Sequence, residues 1–140
     1  MLKKDLLQSQ LHVLLVQNSG YFASTLWYNL AMELYKRYLA ERDGVSVYYN
    51  DYGFITFSIK PDGDCYFSEI YVVPEKRNSR VAFSFWKHVL MAAAIFNCTH
   101  ITGSVDVTTS NWQLSEKLML KLGFVVELVN GNMKYFRKNL

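Results

Sequence analysis

The stretch Phe67 to Ala82, FSEIYVVPEKRNSRVA, leaves the chain few ways to fold. Phe67, Ile70, Tyr71, Val72 and Val73 are β-branched or aromatic residues of the kind that fill a buried strand. Pro74 ends that strand, a turn carrying Lys76, Arg77 and Arg80 follows, and a helical pattern begins. A strand that feeds a helix and then another strand in the same sheet closes as a right-handed parallel crossover. The turn at such a junction aims backbone N–H groups and the positive end of a helix at one spot, which suits an anion.

The rest of the chain fits around this unit. Leu2, Leu6, Leu7, Leu11, Leu14 and Leu15 recur at helical spacing and predict a first amphipathic helix, with a strand over Leu11 to Val16 as the competing reading. Asn18, Ser19 and Gly20 break that pattern. A second helix is predicted from about Tyr21 to Arg42, with Phe22, Leu26, Leu30, Leu34 and Tyr38 marking one face and Trp27, Ala31 and Tyr35 beside them. After Gly44 the composition turns β-rich. Turn signals at Asn50-Asp51 and Pro61 to Asp64 divide it into antiparallel strands at about Ser46 to Tyr49, Gly53 to Ile59 and Cys65 to Val73. A helix follows from about Ser79 to Phe96, its inner face formed by Val81, Phe85, Val89, Ala92 and Phe96. Then come a strand at His100 to Val107, a helix at Asn111 to Leu122, and strands at Phe124 to Val129 and Met133 to Arg137 joined by the hairpin signal Asn130-Gly131. This is a mixed α/β order in a single domain of 140 residues, with N-terminal helices over 1–44 and the core over 45–140.

Composition narrows the function. With 51% hydrophobic and 16% aromatic residues the chain can bury a core, and a net charge of +3 lacks the strongly basic footprint of a nucleic-acid binder. Cys65 and Cys98 lie too far apart in sequence for a zinc knuckle and read as free thiols of a reducing compartment. Asp5, Gln8, Gln10 and His12 interrupt the N-terminal apolar run, against both a signal peptide and a membrane span. A soluble cytoplasmic protein is the expectation.

Three features together resemble the GNAT superfamily of acyl-CoA-dependent N-acetyltransferases: EIYVVPEKRNSRVA at Glu69 to Ala82, Asn111 before a helix ending in KLGF at Lys121 to Phe124, and a last hairpin ending in KYFRK at Lys134 to Lys138. The resemblance covers the chain from about Val45 onward. It implies a GNAT-like mixed sheet: antiparallel N-terminal strands, one parallel pair with a crossover helix, and a C-terminal hairpin. It also implies acetyl-CoA as cofactor and an amine as acceptor. Arg77 and Ala82 match the first and last positions of the family's pyrophosphate turn, Q/R-x-x-G-x-G/A, so Asn78, Ser79, Arg80, Val81 and Ala82 would supply N–H groups to the pyrophosphate. Tyr71, Val72 and Val73 would offer backbone to pantetheine, Asn111 would bond its arm, and Glu69 would act as base, directly or through water. Two positions depart from the pattern. Arg80 stands where the family prefers glycine, and Met119, which has no proton to give, stands where it keeps its usual acid.

Plainer roles compete for the same residues. Lys76, Arg77 and Arg80 can be a solvated loop, Glu69 an ordinary polar strand residue, and Asn111 a helix cap. His88 and His100 read as structural, with no paired carboxylate evident. Tyr48, Tyr49, Tyr52 and Tyr66 read as sheet packing, and Trp27, Trp86 and Trp112 as core or interface anchors. The short chain, the altered turn and the absent tyrosine also resemble small GNAT-like proteins of bacteriophages, some of them virion-associated. That resemblance implies a catalytically silent scaffold that binds a protein partner or a second copy of itself.

Overall fold

The computed structural model describes residues 22–140; the first predicted helix and the competing strand at Leu11 to Val16 lie outside them. The described chain runs α1 (Phe22–Asp43), β1 (Ser46–Asn50), β2 (Gly53–Ile59), β3 (Asp64–Val72), a 3-10 turn (Pro74–Lys76), α2 (Val81–Ile95), β4 (His100–Asp106), α3 (Trp112–Lys121), β5 (Val125–Asn130) and β6 (Met133–Asn139). The strands form one sheet in the order β1-β2-β3-β4-β6-β5. Every neighbouring pair is antiparallel except β3 and β4, which are parallel and joined through α2. The element order from Val45 onward is the one the sequence predicts, with boundaries shifted by one or two residues. Among the described residues, no helix is long and apolar enough to cross a membrane.

Alternation along the strands sorts side chains onto two faces. Ile55 and Phe57 of β2, Cys65 and Phe67 of β3, Ile101 and Val105 of β4 and Phe136 of β6 turn to one side, where Phe85, Trp86, Val89 and Ala93 of α2 and Met119 of α3 close the main core. On the other side α1 covers the β1 end of the sheet, burying Met32, Tyr35 and Leu39 against Val47, with Tyr49 and Phe54 alongside.

The inner face of α1 is not the face marked in the sequence. Leu26, Leu30 and Leu34 are more than half exposed, as is Trp27, whereas Met32, Tyr35 and Leu39 are fully buried. Two stripes of this helix carry apolar residues at helical spacing, so periodicity alone does not choose between them. On the stripe that the sheet takes, Tyr28 donates a hydrogen bond to the Gly53 carbonyl at 3.0 Å. Tyr49 answers from β1, donating to the Glu33 carboxylate at 2.6 Å. Phe96 is corrected in the same way. It caps the C-terminus of α2 and is exposed, and Phe85, Trp86, Val89 and Ala93 bury the helix instead.

Candidate active site

β3 and β4 pair over only four rungs, from Asp64 with His100 to Phe67 with Gly103. Beyond them β3 continues to Val72 and β4 to Asp106, each held from its outer side by β2 and by β6. The sheet therefore opens into a V whose apex is the Phe67–Gly103 rung. A bulge contributes to the opening: the register of β2 against β3 steps from Phe57 opposite Phe67 to Thr56 opposite Glu69, leaving Ser68 as the extra residue. Bulges bend a strand and add twist. This one also rephases β3. Before it, Cys65 and Phe67 face the main core; after it, Ile70 and Val72 do, and Glu69 and Tyr71 turn to the α1 side.

Above the open end stands the basic turn. Its backbone hydrogen bonds run from Lys76 N–H to Val73 O, Arg77 N–H to Pro74 O and Ser84 N–H to Arg80 O, and the amides of Asn78, Ser79 and Arg80 take no part in them. The first N–H groups of α2 lack intrahelical acceptors by construction. Arg80 is the N-cap of α2, with φ −83° and ψ 4°. That conformation is open to any L residue, so the backbone makes no demand for glycine at this position. The left-handed residue of the turn is Asn78, with φ 60°.

The three cations behave differently. Arg77 folds back, its Nε donating to Val72 O at 2.9 Å while its guanidinium lies 5.7 Å from the Tyr71 ring. Lys76 Nζ lies 5.0 Å from the Tyr52 ring. Arg80 is exposed at the helix start. Of the strand residues matched to pantetheine, Val73 N–H turns to β2, donating to Tyr52 O at 2.8 Å. Tyr71 O also lies on that side, so close that a Cβ on Gly53 would come within 1.9 Å of it. Successive peptide groups of a strand face opposite edges. Ile70 and the N–H of Val72 therefore face the V, while the Val72 carbonyl already accepts from Arg77. Ile70 was not legible in the sequence, because the bulge that sets the phase leaves no residue signature. Val81 and Ala82 form the first turn of α2, half-buried.

Asn111 stands at the start of α3, beyond the end of β4 and hence on the second arm of the V. It adopts φ 62° and its side chain makes no capping bond. The loop before it is shaped by Asp106, whose carboxylate accepts bonds from the Thr108 hydroxyl at 2.7 Å and amide at 2.9 Å. The Thr108 hydroxyl, and then its amide, hold the Asp106 carboxyl below its usual range. At the apex Met119 is buried, its Cε packed over Gly103; a Cβ at that glycine would stand 2.6 Å from the methyl. On the other face of the apex Tyr66 Oη and Ser104 Oγ share a hydrogen bond at 2.9 Å.

Glu69 is half-buried and lines a cleft of about 370 Å³ on the α1 face, together with Arg42, Asp43, Thr56, Ser58, Lys60, Tyr66 and Ser68. Away from the V, His100 has the carboxylate partner that the sequence did not reveal. Its Nε2 lies 3.5 Å from Asp64 Oδ1, and Asp64 Oδ2 accepts a bond from Thr102 Oγ1 at 2.7 Å. The pair sits at the closed end of the parallel strands, because β3 and β4 start in register there. His88 stacks on Tyr48 at 3.5 Å between ring centroids.

No family model matches the sequence, and no curated protein matches it. Solved structures do match. The PaiA N-acetyltransferase of Thermoplasma acidophilum, in complex with coenzyme A, superposes with a TM-score of 0.66 at 14% identity, over 98% of this chain and 94% of that one. A GNAT-family acetyltransferase of Listeria monocytogenes gives a TM-score of 0.59 at 13% identity, over 99% of this chain and 88% of that one. An Arabidopsis thaliana protein in complex with the bisubstrate analogue CoA-Ac-MVNAL gives 0.53 at 20% identity, over 69% and 72%. With its single parallel pair, its V and its C-terminal hairpin, the chain has the fold of the GNAT acetyltransferases.

Proposed function

We propose that this protein transfers an acetyl group from acetyl-CoA to an amine. The observation that carries the reading is the V above Phe67 and Gly103, set directly below a turn whose Asn78, Ser79 and Arg80 amides lie outside the turn's own backbone hydrogen bonds. These groups fit the cofactor: open strand edges for an extended amide-bearing arm, a helix start for phosphate, and Arg80 in a conformation that blocks neither. Acetyl-CoA, when bound, would supply an acetyl group activated as a thioester. Asn78 to Ala82 would hold the pyrophosphate, with Arg80 adding charge. Ile70 and Val72 offer backbone to the arm from β3, and Asn111 bonds to it from the α3 side. Glu69, directly or through a water, takes a proton from the acceptor ammonium so that the nitrogen lone pair is free to attack. Met119 has no proton to donate, so the proton that leaves with the thiol would come from solvent or from a tyrosine. The thiols of Cys65 and Cys98 fit a reducing compartment, and we place the protein in the cytoplasm.

Calorimetric titration with acetyl-CoA tests this. Arg80→Glu puts a carboxylate beside the pyrophosphate and should weaken binding about tenfold or more, since a bond to a charged group contributes about 1.5–3 kcal/mol. Binding that ignores Arg80→Glu would place the cofactor elsewhere. No heat at millimolar cofactor would favour a second reading, a catalytically silent scaffold, which the thioether of Met119 in place of an acid supports.

A further inference from the structure

We propose that the cleft beside Glu69 receives the acceptor, and that it selects a small extended molecule with a primary amine at one end and a carboxylate or phosphate at the other. This rests on Glu69 being the base. The cleft runs along β2 on the α1 side. Thr56 lies opposite Glu69, Ser58 lies opposite Tyr66, and Lys60 stands at the strand's end. From Thr56 to Lys60 is four residues at about 3.3 Å each, roughly 13 Å of backbone, which the long side chains at the far end shorten. A ligand lying there would have its amine at Glu69, next to the apex of the V, and its other end among the side chains of Lys60 and Arg42.

The two ends differ in chemistry. Lys60 makes no ion pair among the described residues. Arg42 reaches the cleft from the last turn of α1, hydrogen-bonds to the Tyr38 hydroxyl and lies 3.9 Å from Asp43. With Asp43, also in the cleft wall, partnering Arg42, the charge of Lys60 is left over at this end and suits an anion. Between the ends the floor is hydroxylic. Thr56 and Ser58 are 1% and 4% exposed, rare burial for polar residues at the centre of a sheet. Thr56 Oγ1 donates to Ser68 Oγ at 3.0 Å, and Ser68 Oγ donates to Thr56 O at 3.2 Å. The hydroxyl hydrogens of Thr56 and Ser68 are thus engaged with each other, and Tyr35, Leu39 and Val45 supply an apolar wall beside Glu69, Lys60 and Arg42. The volume of about 370 Å³ falls at the low end of ligand pockets, about 300–1,000 Å³. A small molecule fits it and a bulky hydrophobic acceptor does not.

The test uses two probes, 6-aminohexanoate, which has the distal carboxylate, and cadaverine, which has a second amine in its place. Each is titrated onto the protein alone and then offered as acceptor with acetyl-CoA. The aminohexanoate should bind and turn over with a KM about tenfold below that of cadaverine, and Lys60→Ala should raise that KM about tenfold while the cadaverine KM does not rise, as removal of one charged anchor requires. Equal use of both amines, or a Lys60→Ala variant without effect on KM, overturns the cleft while leaving the transferase standing. Lys60-dependent binding of aminohexanoate without any acetyl-CoA binding supports the cleft and removes the transferase. Binding of neither amine overturns the proposal outright.

Discussion

At the residue scale, two buried sulfurs show how environment sets what a side chain can do. Burial, with smaller contributions from Cys98 and Asp64, pushes the Cys65 thiol from 9.0 up to about 12. A raised folded pKa means that the neutral thiol stabilises the fold, fully below the unfolded value near 9, and that this contribution fades as pH climbs toward 12. Urea unfolding at stepped pH should therefore show stability falling above pH 9, and Cys65→Ala should fall less steeply over that window. Parallel curves for the two proteins would assign the loss to other groups, such as Tyr49, which its bond to Glu33 also raises to about 12. Met119 is the second case. The sequence showed that it cannot donate a proton, but not what it does instead, because the close approach of a thioether to Gly103 across the sheet is a tertiary fact. Met119→Ala should cost about 2–5 kcal/mol, the usual range for emptying a core site, read as a drop in the urea midpoint at unchanged slope. A cost below about 1 kcal/mol would mean that the apex is loosely packed.

At the element scale, strands and hairpins were legible where turn chemistry is explicit. Asn130-Gly131, Pro61 to Asp64 and Pro74 each mark a boundary that the structure keeps to within a residue or two. The bulge at Ser68 was not legible, since nothing in YFSEIY distinguishes a strand with an extra residue from a regular one. Yet the bulge decides that Glu69 faces the α1 side and that Ile70 and Val72, rather than Tyr71 and Val73, open their backbone to the V. Which face of α1 is buried was not legible because both of its stripes are apolar. The hairpin of β1 and β2 has its own constraint at Gly53, where φ is +153° and Tyr71 O would lie 1.9 Å from any Cβ. Gly53→Ala combines a conformation costing about 1–3 kcal/mol with a backbone clash that flexible side chains cannot relieve. It should lower the melting temperature, and because Gly53 pairs with Val72 at the mouth of the V it should also weaken acetyl-CoA binding. A melting temperature within a degree of the parent would show that the hairpin shifts without strain.

At the scale of the whole molecule, the sheet separates two unequal cores. Sixteen buried residues gather on the α2 and α3 side and only four under α1 among the described residues, so α1 rests on far less burial than the rest of the fold. Regions held by few apolar contacts open locally at a lower free energy than the whole domain. Native-state hydrogen exchange should accordingly show α1 and β1 opening together below the global unfolding free energy, with α2, β4 and β6 the last to exchange. Met32 is fully buried in the smaller core, and Met32→Ala should remove about 2–5 kcal/mol of protection there. Protection of β4 and β6 should stay as it was. An equal loss in every element would mean that the two cores unfold as one unit. The distinction bears on function, because Arg42 and Asp43 at the end of α1 form one wall of the cleft beside Glu69. If the acceptor sits in that cleft, aminohexanoate should slow exchange in α1 and leave α2 unchanged, while acetyl-CoA at the turn should slow the first turn of α2 and leave α1 unchanged. That pair of outcomes would assign the two halves of the proposed reaction to opposite faces of one sheet.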